Sequence, residues 1–277
     1  MRFEVVTIFP GFFAGFFENG IVRRALGEKL VSADVHDLRA FTHDRHRTVD
    51  DRPFGGGEGM VLKPEPLAEA LQSLGIGTKE NRQSADSSAD RNTRVILMSA
   101  QGQRFTQAVA RQFAGLERIV MICGRYEGVD ERINQLYCDM ELSIGDYVLS
   151  GGELAAAVVM DSVIRLIPGV LGNEASGEFE SFGVADNDIS TDIEGVPRSQ
   201  HGAGGLLDYP HYTRPADFGG LRAPEVLLNG DHQQIRRWRR EQQLRKTLAN
   251  RPDLLEGAAL SREDRALLDA IRKRNAT

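Results

Sequence analysis

The chain has only two cysteines, Cys123 and Cys138, and no Cys-x-x-Cys pair, which excludes a disulfide framework and a structural zinc cluster. It has no uninterrupted apolar stretch long enough to cross a bilayer, so no membrane partner is expected. Its first residues, MRFEVVTIFPGFF, lack a basic leading region and carry Glu4 inside the apolar run. That pattern reads as a first strand and not as a signal peptide, and a cytoplasmic location is expected. No Gly-Lys-Ser/Thr follows the glycine run at Gly55–Gly59, which removes the usual phosphate loop and weakens a nucleotide-dependent enzyme. Positive net charge is also missing: the balance is −6, which taken alone speaks against nucleic acid as partner. No internal repeat is visible. What is there is 277 residues, 41% hydrophobic and 27% charged, enough for one large domain or two ordinary ones with a full core.

Charge is placed unevenly. Between Gly172 and Gly195 lie Glu174, Glu178, Glu180, Asp186, Asp188, Asp192 and Glu194 with no lysine or arginine. Arg236, Arg237, Arg239, Arg240, Arg245 and Lys246 crowd a short stretch against Glu241 alone. A globally acidic chain can therefore present a basic face. Trp238, Ile235 and Leu244 give that stretch a packing side, so it suits either a solvated helix or an RNA-backbone contact.

Three apolar runs, Arg94–Met98, Arg118–Ile122 and Met140–Ile144, read as parallel strands covered on both faces. Each leads into a glycine-bearing segment: SAQG (Ser99–Gly102), CGRYEGVDER (Cys123–Arg132) and SIGDYVLSGGEL (Ser143–Leu154). Helical patterns follow, so the class is α/β with a mostly parallel sheet. Loops gathered beyond the carboxyl ends of such strands form a ligand pocket built largely from backbone. Residues 1–168 hold this alternation, with Gly77–Thr93 read as a polar surface loop and Glu153–Ile167 as an apolar helix stopped by Pro168-Gly169. Residues 169–205 are acidic, glycine-containing and aperiodic, and read as a mobile linker or lid. Residues 206–277 form a small helical region, with helices expected at Asp231–Asn250 and Ser261–Arg274 and an approximate capping box from Ser261 to Asp264.

Ser150-Gly-Gly-Glu153 also fits a capping box, and its two glycines leave room for a ligand near free N–H groups. Arg165, in an apolar helix, needs a partner or a surface, and Asp161 four residues earlier is the simple choice. Glu127 is suited to accept from a ribose hydroxyl pair. His43-x-x-His46 lacks a third ligand, and no metal site is expected there. The Gly55–Gly59 run is either a flexible loop or a backbone cradle for a planar group.

Taken together, FTHDRHRTVDDRPFGGGEGM, CGRYEGVDER, SIGDYVLSGGEL, IPGVLGNEAS, LLDYPHYTRP, PEVLLNGDH and WRREQ resemble the bacterial tRNA (guanine-N1)-methyltransferases of the TrmD type, in the SPOUT superfamily, over nearly the whole chain. The resemblance implies a trefoil-knotted cofactor domain, a topology that general chain-threading rules would not suggest. It implies a homodimer whose active site is shared between subunits, and methylation of N1 of guanine 37 in tRNA, 3′ of the anticodon. S-adenosyl-L-methionine is the implied methyl donor, held by Leu97, Ser99, Gly124, Tyr126, Glu127, Ile144, Gly145, Asp146, Tyr147, Val148, Leu149, Gly151 and Gly152. Gly55, Gly56, Gly57, Gly59, Met60, Asp208, His211 and Arg214 fall at tRNA-binding positions. Glu180 takes the position of the base, with Glu178 as competitor, and Arg165 that of the cation. The resemblance also allows for Mg²⁺ as a helper. Against the family pattern, a glutamate stands at the base position, Ala100 replaces a proline, Glu58 stands where proline is common, and Gly183–Gly204 is long. A non-catalytic RNA-binding module that keeps the fold is the alternative.

Overall fold

The computed structural model describes residues 1–84, 92–172, 180–183 and 203–275. By internal contacts the chain divides into two compact units, Met1–Gly172 and Asn173–Thr277.

In the first unit the strands are β1 (Arg2–Thr7), β2 (Ser32–Asp37), the two-residue β3 (Asp50–Asp51) and β4 (Val61–Leu62), β5 (Thr93–Arg104), β6 (Arg118–Cys123) and β7 (Met140–Ser143). Five of them make one sheet in the order β2-β1-β6-β5-β7, with every neighbouring pair parallel. Side chains alternate across such a sheet, and here both faces are buried. Ile96, Met98, Ile119 and Met121 point to a core completed by Phe13 and by Ala156, Val159, Met160 and Val163 of the helix Glu153–Ile164. Val95, Leu97, Val120 and Ile122 point to the opposite core, with Leu67 and Leu71 of the helix Pro64–Ser73 and Ile133 of the helix Glu131–Leu136. Each fully buried aliphatic side chain contributes roughly 1.5–3 kcal/mol, so the runs visible in the sequence are also the main source of stability. Glu4 is wholly buried among them. Arg118 and Arg2 meet its carboxylate, Arg2 at 2.8 Å, which makes a charge in an apolar strand tolerable.

The structure corrects three expectations about elements. β5 does not stop at Met98: it pairs with β6 up to there, bulges at Ser99–Gly102, and rejoins β7 through Gln103 and Arg104. A bulge fits because a Cβ on Gly102 would collide with the backbone of Glu141 and Leu142. The polar stretch Gly77–Thr93 is not all loop, because Lys79–Ser84 is helical and Arg82 is buried. Its guanidinium donates to both carboxylate oxygens of Asp139, at 2.8 and 3.0 Å, and to the Tyr137 carbonyl. The apolar helix ends at Ile164, with Arg165 as its C-cap.

The second unit has the helices His232–Asn250, Asp253–Gly257 and Arg262–Asn275 and the short hairpin of β8 (Asp217–Phe218) with β9 (Leu221–Arg222). Leu206, Leu244, Leu267 and Ile271 form its core. Asp231 caps the long helix by accepting from the amides of Gln233 and Gln234. Ser261 and Asp264 form the expected reciprocal box, amide to side chain in both directions at 3.0 Å. Residues 173–179 and 184–202, most of the expected mobile lid and including Glu178, lie outside the described residues. Among the described residues no helix is long and apolar enough to cross a membrane.

Candidate active site

A cleft of about 360 Å³ opens where the glycine-bearing segments after β5, β6 and β7 converge. Its size falls in the range of about 300–1,000 Å³ usual for small-ligand pockets. Of the residues placed at cofactor positions, Leu97, Ser99, Gly124, Tyr126, Glu127, Ile144, Gly145, Tyr147, Val148, Leu149, Gly151 and Gly152 all line it. Asp146 does not line it; its carboxylate turns outward to an exposed ion pair with Arg104.

The cleft is built by stitching loop to loop. The Gly152 amide donates to the Gly124 carbonyl at 3.0 Å, and Arg125 forms an isolated bridge with Gly151. A Cβ on Gly152 would sit 2.8 Å from the Cys123 Cα and 2.9 Å from the Met98 Cβ, closer than real Cβ atoms come. Gly152 is therefore required first by the chain's own packing, before any ligand is considered.

The capping box expected at Ser150 does not form. Gly152 is the N-cap, with no side-chain bond, and Glu153 is the first helical residue. Its carboxylate is drawn inward, accepting from the Thr7 hydroxyl at 2.6 Å and lying 3.3 Å from the Arg125 guanidinium. Arg125 in turn donates to the Ser150 carbonyl at 2.9 Å and lies 4.5 Å over the Phe9 ring. One buried carboxylate thus ties the end of β1, the loop after β6 and the start of the long helix. Burial first, and the Glu153 charge second, push the Cys123 thiol well above its ordinary value, leaving it an inert packing residue.

The cleft walls combine apolar Leu97, Val129, Leu149 and Ala155 with the carboxylates Glu127, Glu131 and Glu141. Such walls offer apolar surface to a planar group, acceptors to hydroxyl groups and negative charge to a cation. Glu141 and Arg125 were not among the expected lining residues. The signal for Glu141 was a charge in the last strand just before its loop; Asn134 donates to it at 2.6 Å. Tyr126 takes a left-handed backbone, φ 59°, which a large side chain adopts at a cost, and its ring is half exposed.

The glycine run forms the loop between β3 and β4, and Gly55, Gly56, Gly57 and Gly59 all have positive φ. This loop is joined to the cleft. The Glu127 amide donates to the Met60 carbonyl and the Leu62 amide to the Gly128 carbonyl, both at 3.0 Å. Gly59 needs its positive φ of 79°, which favours glycine, and a Cβ there would displace the Glu127 carboxylate. His43, four-fifths exposed, pairs with Glu69 at 2.8 Å, and no group of three or more potential ligands converges on a metal position among the described residues.

The profile of the family described as tRNA (Guanine-1)-methyltransferase TrmD matches residues 1–257. The chain belongs to this family. Among similar proteins, one named tRNA (guanine-N(1)-)-methyltransferase from Koribacter versatilis is 53% identical, with 98% of each chain covered. Proteins of the same name from Dehalococcoides mccartyi and Geobacter sulfurreducens are 46% and 45% identical, covering 98% and 99% of this chain and 97% and 98% of their own.

The remaining family positions lie elsewhere. Arg165 is half-buried at the end of its helix in the first unit. Glu180 is half-buried in the second unit, in a segment pinned by the Phe182 amide on the Leu206 carbonyl and the Asp208 amide on the Ser181 hydroxyl, both at 2.9 Å. The Asp208 carboxylate also accepts from the His211 ring at 2.9 Å, while Arg214 is exposed. Nearby, Arg239 lies 4.8 Å over the Tyr209 ring, and burial raises the Tyr209 hydroxyl against the pull of that guanidinium.

Proposed function

We propose that this protein transfers a methyl group from S-adenosyl-L-methionine to N1 of guanine 37 in tRNA. The observation that carries the reading is the convergence of twelve family cofactor positions on one cleft, in a chain that belongs to the family. The cofactor supplies an electrophilic methyl group on a sulfonium. Everything else is work for side chains. Guanine N1 carries a proton and is a poor nucleophile until that proton is drawn away, so a carboxylate must stand near N1–H and a cation near the negative charge that grows on O6.

In this reading Glu180 accepts the N1 proton and Arg165 stabilises the charge on O6. Glu127 accepts from the ribose hydroxyls, and the Gly151-Gly152 turn presents its backbone to the cofactor. The target base lies against Gly55–Met60, a loop whose backbone bonds to the cleft support this placement. Asp208, His211 and Arg214 contact the tRNA, supported by the basic and aromatic side chains clustered around Tyr209 and Arg239.

The resemblance adds the finer points: a trefoil knot in the cofactor unit, a cytoplasmic homodimer with a shared site, and Mg²⁺ as a helper that a chelator titration tests. Leu154 and Val158, half exposed on an otherwise apolar helix, support a covering partner. Replacing Glu180→Gln tests the chemistry. Turnover on a guanine-37 transcript should fall at least about 100-fold, the scale of one general base, while S-adenosylhomocysteine affinity stays within about threefold. Unchanged turnover, with Glu178→Gln inactive instead, would move the base to Glu178.

A further inference from the structure

The glycine loop carries two side chains that nothing above uses. The Phe54 ring is 97% exposed. Glu58 is exposed too, and it has no hydrogen-bond or ion-pair partner among the described residues. Their backbone is nevertheless fixed. The Gly56 amide closes a turn on the Pro53 carbonyl at 3.3 Å, and the next two residues, Gly59 and Met60, are locked against Glu127. Glu58 therefore stands next to the glycine that packs on Glu127 of the cleft wall, with its carboxylate exposed.

Recognising an extruded base takes a surface for its π-face and a partner for its edge. An ionised carboxylate only accepts, whereas the Watson–Crick edge of guanine offers two donors, N1–H and the N2 amino group. Adenine presents an acceptor at N1, which a carboxylate repels. Resting on the placement of the target base against Gly55–Met60, we propose that Glu58 reads the N2 amino group of the guanine while Phe54 stacks on its face. Glu58 then acts on specificity and takes no part in removing the N1 proton.

Inosine separates the roles, because it keeps N1–H and O6 and lacks only the N2 amino group. The experiment measures kcat/KM on ligated tRNAs with guanosine or inosine at the target position. The unmodified protein should prefer guanosine by about 10- to 100-fold, the range for a hydrogen bond to a charged group. Glu58→Ala should bring the ratio within about threefold of one, and Glu58→Gln, which keeps one accepting oxygen, should fall between. Phe54→Ala should lower both substrates by about tenfold at an unchanged ratio, with Phe54→Trp restoring them. Equal use of both nucleosides by the unmodified protein overturns the proposal, even where Glu58→Ala fails to fold. So does an unaltered ratio in Glu58→Ala, or loss of turnover on both nucleosides with cofactor affinity intact, which would make Glu58 the base. No methylation of guanosine tRNA at all is a separate failure, that of the methyltransferase reading itself.

Discussion

Two helices in this protein begin in opposite ways. At Arg262 the start is local: Ser261 and Asp264 satisfy each other's amides, and Arg240 adds a bidentate pair to the same carboxylate at 2.7 and 2.9 Å. At Glu153 the start is left without a side-chain cap, and the acidic residue reaches Thr7, 146 residues away in sequence, together with Arg125. The first arrangement stabilises a helix. The second gives up the cap to hold the loops of a cleft, so its worth should show in ligand affinity as well as in stability.

The comparison is broken or sharpened by substitution at each start. The largest effect is expected from Glu153→Ala, which leaves Arg125 half of a mostly buried pair and the Thr7 hydroxyl without its acceptor. A cost of about 3 kcal/mol in stability, with S-adenosylhomocysteine binding weakened at least about tenfold by calorimetry, is the expected result. Gly152→Ala should follow at about 2 kcal/mol, because the new Cβ forces Met98 and Cys123 apart; calorimetry should again show weakened binding. Asp264→Asn, which weakens both the cap and the mostly buried pair with Arg240, should cost about 2 kcal/mol and leave cofactor affinity untouched. If it weakens binding as much as Glu153→Ala does, the contrast between the two starts is void.

Asp264 also sets a pH dependence. Burial pushes its carboxyl up, but hydrogen bonds and charge from Arg240, with Ser261, outweigh this and hold it below its ordinary value. A lowered folded value means stability present above the unfolded value of about 4, lost as pH falls through the folded one. Trp238, the single tryptophan, lies in the second unit and reports its unfolding by fluorescence. The acid transition followed this way should flatten in Asp264→Asn. The smallest effect belongs to the exposed pair Arg251 and Asp253, 2.6 Å apart: Asp253→Ala should leave the melting midpoint where it is.

These contrasts mark what a sequence can carry. The strands of the sheet were legible because continuous apolar runs state burial on both faces directly. The Ser261 box was legible because both partners sit within one turn. Nothing local distinguishes Ser150-Gly-Gly-Glu153 from it, because the competing acceptor site for Glu153 is made by a threonine at the far end of the first strand. Arg82 was hidden for the same reason: it lies in a polar run, and its reason for burial, Asp139, is remote. The bulge at Ser99–Gly102 depends on how closely β7 passes Gly102, a distance that only the folded sheet sets. Lining residues were legible through motif resemblance, while Asp146 shows that a position inside a motif can still turn away from the cleft.

The central claim is that the cleft holds a methyl donor for guanine N1, and nucleoside analysis tests it most directly. The folded protein is incubated with S-adenosyl-L-methionine and tRNA transcripts carrying guanine or adenine at position 37. The account predicts 1-methylguanosine from the guanine transcript alone, and only with the cofactor present. Absence of 1-methylguanosine from protein that binds S-adenosylhomocysteine would contradict it.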